Sequence, residues 1–344
     1  MLLHPTRLLF YCTLVIGTLI TISASTWLGA WMGLEINLLS FIPLMSNKNN
    51  QFSTEAALKY FLTQALASAI LLFGVLCLGL YNQLSFTTPM YSPALNLVLV
   101  STLLLKMGAA PFHFWFPGVM EGLSWLNGLI LMTWQKIGPL VLTSYVFTNG
   151  IISSLIIIIS SLVGALGGFN QTSLRKIMAY SSINHLGWML AATLLGESYW
   201  LVYFCFYVFL SFAIILLFNS YQLSHINQIF GLPVANPVLK LALFCNLLSL
   251  GGLPPFLGFL PKWTIIQGMV SEGYFFLITL MVLMTLITLY FYIRMGYSAF
   301  MLAHGEVKWM LTPYFNSMSQ ALVNISLTLS LLGLILCSLL ISVM

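Results

Sequence analysis

Four charged residues lie inside long apolar stretches of the sequence: Glu35, Lys106, Lys136 and Lys262. At a rise of about 1.5 Å per residue, Glu35 lies about 14 Å and Lys136 about 18 Å into its helix. Both depths are near the middle of a bilayer. A charge there costs at least about 2.5–3.5 kcal/mol, so each of the four requires a physical reason.

The chemistry that these residue types could perform is proton transfer. One carboxylate cannot neutralise three ammonium groups, so at least two of the lysines lack an acidic partner. Desolvation disfavours the charged form of an amine, and a buried lysine can therefore take up and release a proton. A series of such groups at mid-depth predicts a proton relay. Two alternatives remain open: structural pairing of the charges, and snorkelling to an interface, which suits Lys262 best and Lys136 least.

Two histidines extend the candidate relay. His185 lies in the middle of its apolar stretch among small and polar residues, and His113 follows a helix-breaking segment. Histidine exchanges protons readily near neutral pH. Each of them could equally be a core residue that donates to a backbone carbonyl.

The amino-acid composition indicates that these charged residues belong to a membrane protein. Only 5% of the 344 residues are charged and 60% are hydrophobic, whereas about 25% charged residues is usual for a soluble domain. The sequence predicts an all-α polytopic membrane protein of about 11 transmembrane helices, which leaves little chain for a soluble domain. The first apolar stretch is predicted to be a span rather than a removable signal.

Other classes of chemistry find no support. The five cysteines are scattered without a CxxC pair or metal-ligand spacing, so cysteine redox chemistry and a metal site are not predicted. Walker, GxGxxG and HExxH motifs do not occur in the sequence. No basic patch with interleaved aromatic residues suggests nucleic acid as a partner.

Two predicted spans contain helix breakers in the middle. The fourth span, near 91–122, has Pro111 after Gly-Ala-Ala, and the ninth, near 236–271, has Pro254 and Pro255 after Gly-Gly-Leu. Proline removes a backbone donor, so carbonyls at membrane depth need another partner. Both spans are predicted to be discontinuous helices, with a simple kink as the alternative.

The breaks indicate how the chain is organised. Each is the third span of a set of five, with 26–168 as the first predicted repeat and 173–343 as the second, inside one transmembrane domain of residues 1–344. An odd number of spans inverts the second set, and inverted repeats with broken helices are typical of secondary transporters.

The charges outside the spans predict orientation. Eight cations fall on the N-terminal side and none on the other: Arg7, Lys48, Lys59, Arg175, Lys176, Lys240, Arg294 and Lys308. By the positive-inside rule the N-terminus faces the cytoplasm-equivalent side and the C-terminus the opposite side.

Six motifs resemble those of the chain 2 family of mitochondrial NADH-ubiquinone oxidoreductase, respiratory complex I. They occur in order between about residues 17 and 300, at 31–37, 106–115, 134–136, 171–176, 182–188 and 251–256. The resemblance implies an antiporter-like, proton-pumping subunit of the mitochondrial inner membrane, with its N-terminus in the matrix. It also implies other membrane and accessory subunits of complex I as partners. NADH, FMN, iron–sulfur clusters and ubiquinone are then expected on other subunits, with no cofactor in this chain.

The resemblance also implies roles for the individual charges. Glu35 and Lys106 match a charge pair on neighbouring helices, Lys136 matches the central lysine, and Lys262 matches a distal lysine on the second broken helix. His185 matches a histidine between them. Two other functions remain open: a structural membrane subunit without its own proton path, and a free-standing cation/proton antiporter.

Overall fold

The described residues form helices and one isolated β-bridge, between Ser173 and His225. The computed structural model describes residues 5–47, 50–84, 93–230 and 237–301, with five more between 327 and 333. In chain order the helices are α1 (Pro5–Ser23), α2 (Trp27–Met45), α3 (Gln51–Leu84), α4 (Pro93–Met107), α5 (Trp115–Gly122), α6 (Trp125–Met132), α7 (Trp134–Val146), α8 (Ile151–Phe169), α9 (Leu174–Leu195), α10 (Glu197–Ser220), α11 (Ile226–Phe230), α12 (Pro237–Gly251), α13 (Phe259–Ser271) and α14 (Phe275–Met301). The predicted all-α class is confirmed.

Within the described ranges, six helices are long and apolar enough to cross a bilayer. They are α1, α2, α3, α8, α10 and α14, each with at least 19 residues. The other predicted spans correspond to the more polar α9 and to the helix pairs α4/α5, α6/α7 and α12/α13. Most of the eleventh predicted span, near 320–343, lies outside the described residues, as do Lys48 and Lys308.

The break in the fourth span is made by a glycine rather than by the proline. Gly108 takes a positive φ of 73°, Ala109 N donates to Leu104 O (3.0 Å), and Gly108 N donates to Leu105 O (3.2 Å). This pair of bonds is a Schellman motif, which ends a helix at a left-handed residue. Pro111 follows as an exposed residue and prevents the helix from continuing.

The ninth span is broken in the same way. Gly252 has a φ of 79°, its N–H donates to Ser249 O (3.0 Å), and Leu253 N donates to Leu248 O (3.5 Å). The spacing of donors and acceptors is that of the first break. Pro254 and Pro255 are exposed and come after the helix has ended. The predicted discontinuous helices are present, and in both of them the glycine sets the end point.

A third break, which the sequence analysis missed, interrupts the fifth span. The sequence predicted one helix over 124–147, whereas α6 ends at Met132 and α7 begins at Trp134. Thr133 directs both its N–H (2.9 Å) and its hydroxyl (2.7 Å) to Leu129 O. A hydroxyl that shares a backbone acceptor bends a helix. Pro139 also has no N–H to offer the carbonyl of Gln135, so the backbone around Lys136 departs from regular α-helix.

The chain divides into two compact units, residues 1–156 and 157–344, with the boundary inside α8. In the first unit α2, α4 and α5 pack against α3, and α7 packs against α1 and α4. Gly17 and Gly33 let α1 and α2 approach closely, since a Cβ on Gly33 would lie 2.8 Å from Gly17 O. The predicted five-helix repeats at 26–168 and 173–343 stay a prediction.

In the second unit the central contacts are made by α9 with α10, α13 and α14. A Cβ on Gly164 of α8 would lie 2.5 Å from Asn184 N of α9, so the glycines of α8 serve close helix packing. Arg294 donates to Phe169 O at the C-terminal end of α8 (3.1 Å). Lys240 was counted among the loop cations, and that assignment is wrong: it lies in α12 and is buried.

Candidate functional site

A small cavity in the first unit contains two of the predicted lysines. Its volume is about 20 Å³, and both Lys106 and Lys136 line it, the first from the last turn of α4 and the second from the first turn of α7. Lys136 is 1% exposed, and its Nζ lies 5.1 Å from the ring centroid of Phe116. A cavity needs about 10–15 Å³ to hold one water molecule, so this one has room for one.

Three polar side chains from three helices form a hydrogen-bonded chain along this cavity. Tyr60 of α3 donates its hydroxyl hydrogen to Gln135 Oε1 (3.3 Å), and Gln135 Nε2 donates to Asn37 Oδ1 of α2 (3.0 Å). All three residues are buried and line the cavity. The two lysines therefore share a polar lining inside an otherwise apolar bundle.

Glu35 acts on this site through its charge. The carboxylate lies within electrostatic range of the Lys106 ammonium, although its Oε2 atom is buried and makes no hydrogen bond within the described residues. Carboxylate and ammonium therefore interact across a gap rather than through a direct hydrogen bond. The expected pairing of Glu35 with Lys106 has this longer-range form.

Neutral side chains donate to two carbonyls at the end of α4. A Schellman motif leaves the last two carbonyls of a helix without backbone donors. One of them, Lys106 O, accepts from Gln64 Nε2 (3.2 Å), and the preceding carbonyl, Leu105 O, accepts from the indole of Trp115 (3.0 Å).

At the matching position of the second unit, a lysine takes the place of the glutamine. Lys262 Nζ donates to Gly251 O (2.8 Å) and to Leu250 O (3.4 Å), the two carbonyls that the second Schellman motif leaves free. The negative end of the α12 dipole adds to this attraction. Lys262 belongs to α13 and is 5% exposed, so its side chain reaches back across the break. A lysine directed to buried carbonyls does not snorkel, and this geometry disfavours that alternative.

His185 is connected to Lys262 through aromatic side chains. His185 Nδ1 lies 2.8 Å from Tyr203 Oη, and the ring of Trp188 stacks on Tyr203 with centroids 6.5 Å apart. Lys262 Nζ lies over Trp188, 5.9 Å from the ring centroid. Cation–π attraction acts at this range. His185 and Lys262 thus belong to one buried aromatic cluster in the second unit.

His113 does not join either group. It is buried within the first break, where its ring stacks on Phe114 with centroids 4.2 Å apart, and it does not line the cavity of Lys106 and Lys136. Its carbonyl accepts from Phe116 N (3.0 Å) at the start of α5. The predicted extension of the relay through His113 gains no geometric support.

Sequence reasoning gave no role to four residues that line the cavity: Asn37, Tyr60, Gln64 and Gln135. Asn37 and Gln135 stand within the motifs that carry the resemblance, next to Glu35 and Lys136, and that adjacency was the available signal. Tyr60 and Gln64 come from α3, one helical turn apart, with no local signal to distinguish them. Among the described residues, no group of three or more His, Cys, Asp or Glu side chains could hold a metal ion.

Comparison with known proteins places this geometry in a family. Residues 24–288 match the family model described as NADH:quinone oxidoreductase/Mrp antiporter, TM. NADH-ubiquinone oxidoreductase chain 2 of Anopheles gambiae is 56% identical over 98% of both chains. The chain belongs to the NADH-ubiquinone oxidoreductase chain 2 family. The chain 2 protein of Locusta migratoria is 43% identical and covers 96% of this chain and 95% of its own length.

Solved structures show the same fold beyond the chain 2 family. A chain of respiratory complex I from Thermus thermophilus is 26% identical, with a TM-score of 0.81 over 96% of this chain and 79% of that chain. A chain of the Mrp complex from Dietzia is 17% identical, with a TM-score of 0.75 over 95% of this chain and 75% of that chain. The overall fold is therefore shared by this chain, a complex I chain and an Mrp chain.

Proposed function

We propose that this chain translocates protons as the antiporter-like chain 2 subunit of respiratory complex I, through a relay of Glu35, Lys106, Lys136, His185 and Lys262. The observation that carries the proposal is the cavity that Lys106 and Lys136 share, with the Glu35 charge within range. Redox energy released on other subunits drives the transfer. NADH, FMN, iron–sulfur clusters and ubiquinone belong to those subunits.

The switch in the first unit is Coulombic. While Glu35 acts on Lys106, its negative charge favours the ammonium form of that lysine. When the carboxylate moves away, Lys106 loses that stabilisation and passes its proton towards Lys136. One pKa unit corresponds to about 1.4 kcal/mol and a charge crossing 100 mV to about 2.3 kcal/mol, so a shift of a few units is of the required size.

In the second unit His185 and Lys262 receive and release the proton. The carbonyls of Leu250 and Gly251 support a Lys262 ammonium, and the hydroxyl of Tyr203 orients the His185 ring. The mitochondrial inner membrane is the proposed location, with the N-terminus in the matrix, and protons leave on the intermembrane-space side.

Neutralising Lys136 tests the relay. In the assembled complex we expect Lys136→Gln to slow coupled turnover about a hundredfold, because a positioned acid–base group contributes about 10²–10⁴ in rate. The measurement is proton translocation per NADH oxidised in sealed vesicles, with assembly followed on native gels.

Thr143→Val is the matched control on the same helix. Thr143 is fully buried and donates only to Leu140 O, so its loss tests packing without touching the cavity. A Lys136→Gln complex that assembles and pumps with normal stoichiometry would contradict the relay. A variant that fails to assemble, beside a normal control, would favour a structural subunit.

A further inference from the structure

The chain of Asn37, Gln135 and Tyr60 runs along the cavity that the two lysines share. It joins α2, α7 and α3 through the two bonds described above, Tyr60 to Gln135 and Gln135 to Asn37. Gln135 also immediately precedes Lys136 in the sequence. The same residues that tie the three helices together therefore face the proposed proton-transfer step.

The Tyr60 hydroxyl and the Gln135 amide donate their hydrogen bonds along this row of three side chains. A tyrosine hydroxyl has one hydrogen, and that of Tyr60 is given to Gln135, so Tyr60 Oη presents only lone pairs to the cavity. Gln135 Oε1 accepts from Tyr60 and has a second lone pair, while Nε2 donates one of its two hydrogens to Asn37. Beside its remaining amide hydrogens, the hydrogen-bonded chain thus offers two acceptors to the cavity that both lysines line: Tyr60 Oη and the second lone pair of Gln135 Oε1.

Acceptors are what a water between an ammonium and an amine requires. Such a water accepts a hydrogen bond from the charged lysine and donates one hydrogen to the neutral lysine. Its second hydrogen needs an acceptor that is not a lysine, because a lysine ammonium has donors only. Tyr60 Oη and Gln135 Oε1 are acceptors of this kind in the cavity lining.

We propose that Tyr60, Gln135 and Asn37 are positioning residues that hold one water in line between Lys106 and Lys136. The inference rests on the proposed relay and adds to it the residues that orient its first transfer. The proton moves from the ammonium of one lysine to the water oxygen, and a different water hydrogen moves to the amine of the other lysine, so charge and atoms balance. The neutral amides of Gln135 and Asn37 carry no proton themselves.

Removing the hydroxyl of Tyr60 tests the positioning role. In the assembled complex we expect Tyr60→Phe to slow proton-coupled turnover about fivefold, the rate equivalent of the roughly 1 kcal/mol that one hydrogen bond contributes. The solvent deuterium isotope effect should rise above that of the natural chain, because the misaligned transfer becomes rate-limiting. Both are measured in sealed vesicles in H₂O and D₂O.

Gln135→Met is the second variant, and Thr143→Val is the control. Methionine keeps the length and volume of Gln135 but removes both hydrogen bonds of the chain, so it should reproduce the effect of Tyr60→Phe. Thr143→Val removes a buried hydroxyl from the same helix away from the cavity and should leave the rate and isotope effect unchanged. Equal slowing in all three variants would overturn the proposal, since packing alone would then explain it.

The outcomes separate this inference from the relay. Slow pumping in Lys136→Gln together with normal rate and isotope effect in Tyr60→Phe overturns the positioning role and leaves the relay in place. Normal pumping in Lys136→Gln overturns both. If neither Tyr60→Phe nor Gln135→Met assembles while Thr143→Val does, the hydrogen bonds of Tyr60, Gln135 and Asn37 have a structural role and the inference is wrong.

Discussion

At the scale of single residues, the three lysines occupy two kinds of surroundings. Lys106 and Lys136 line a cavity whose polar groups are neutral, with one carboxylate within electrostatic range of Lys106. Lys262 instead donates directly to two backbone carbonyls at a helix end. A proton on Lys262 has fixed partners, whereas a proton on Lys106 depends on the position of the Glu35 side chain.

The dependence of Lys106 on Glu35 predicts that their substitutions are not additive. Glu35→Gln and Lys106→Gln should each slow proton pumping, while the double variant should be no slower than the slower single variant. Residues that act as one unit show coupling energies of about 0.5–3 kcal/mol in such a cycle. The measurement is coupled turnover of the four forms in vesicles, and additive effects would show that the two residues act independently.

At the scale of the elements, a glycine and two freed carbonyls recur at both breaks. Gly108 and Gly252 have φ values of 73° and 79°, and each ends its helix with the same pair of hydrogen bonds. In the first unit Gln64 bonds one of the freed carbonyls, and in the second Lys262 bonds both. A helix end of this form provides carbonyl acceptors for a charged or a neutral donor, without any acidic side chain.

Gly252→Ala should damage the second site through its backbone and its contact with Lys262. An alanine at this φ costs about 1–2 kcal/mol, and its Cβ would lie 2.8 Å from Lys262 Cδ and 3.0 Å from Nζ. We expect a less stable complex and slower pumping, measured by thermal unfolding and by proton translocation.

Gly79→Ala is the control for this substitution. Gly79 lies within α3, and a Cβ there meets no atom within 4 Å. Since alanine stabilises a helix by about 0.5–1 kcal/mol relative to glycine, the stability of this variant should be unchanged or slightly higher. Equal stability of the two variants would contradict the account of the break.

At the scale of the whole molecule, we predict the side of each terminus from the distribution of cations along the sequence. Of the eight cations behind that prediction, Lys240 is buried in α12, two lie outside the described residues and the other five lie in helices, so the orientation stays a prediction. We expect an epitope tag at the N-terminus to resist protease in intact mitochondria and in mitoplasts, where the outer membrane is opened. Cleavage of the tag in mitoplasts would place the N-terminus on the intermembrane-space side.

The sequence by itself determined the helical class, the breaks near Gly108 and Gly252, and the four charges inside the spans. These features depend on the sequence alone or on a few neighbouring residues. The composition indicates that the chain lies in a bilayer rather than in water, and glycine and proline determine where a helix ends. A charge inside an apolar stretch can be found without knowing its tertiary contacts. The interruption at Thr133 was missed because the sequence does not show that the threonine hydroxyl shares the backbone acceptor of its own N–H.

Only the tertiary structure decided which side chains share a site. Tyr60 and Gln64 are ordinary positions of α3 until the helix packs against α2, α4 and α5 and turns them to the cavity. Tertiary packing likewise buried Lys240 and directed Lys262 to the carbonyls of the helix before it. The physical reason is that a buried polar group must find partners from other helices, and side-chain spacing along the chain does not record which helices meet.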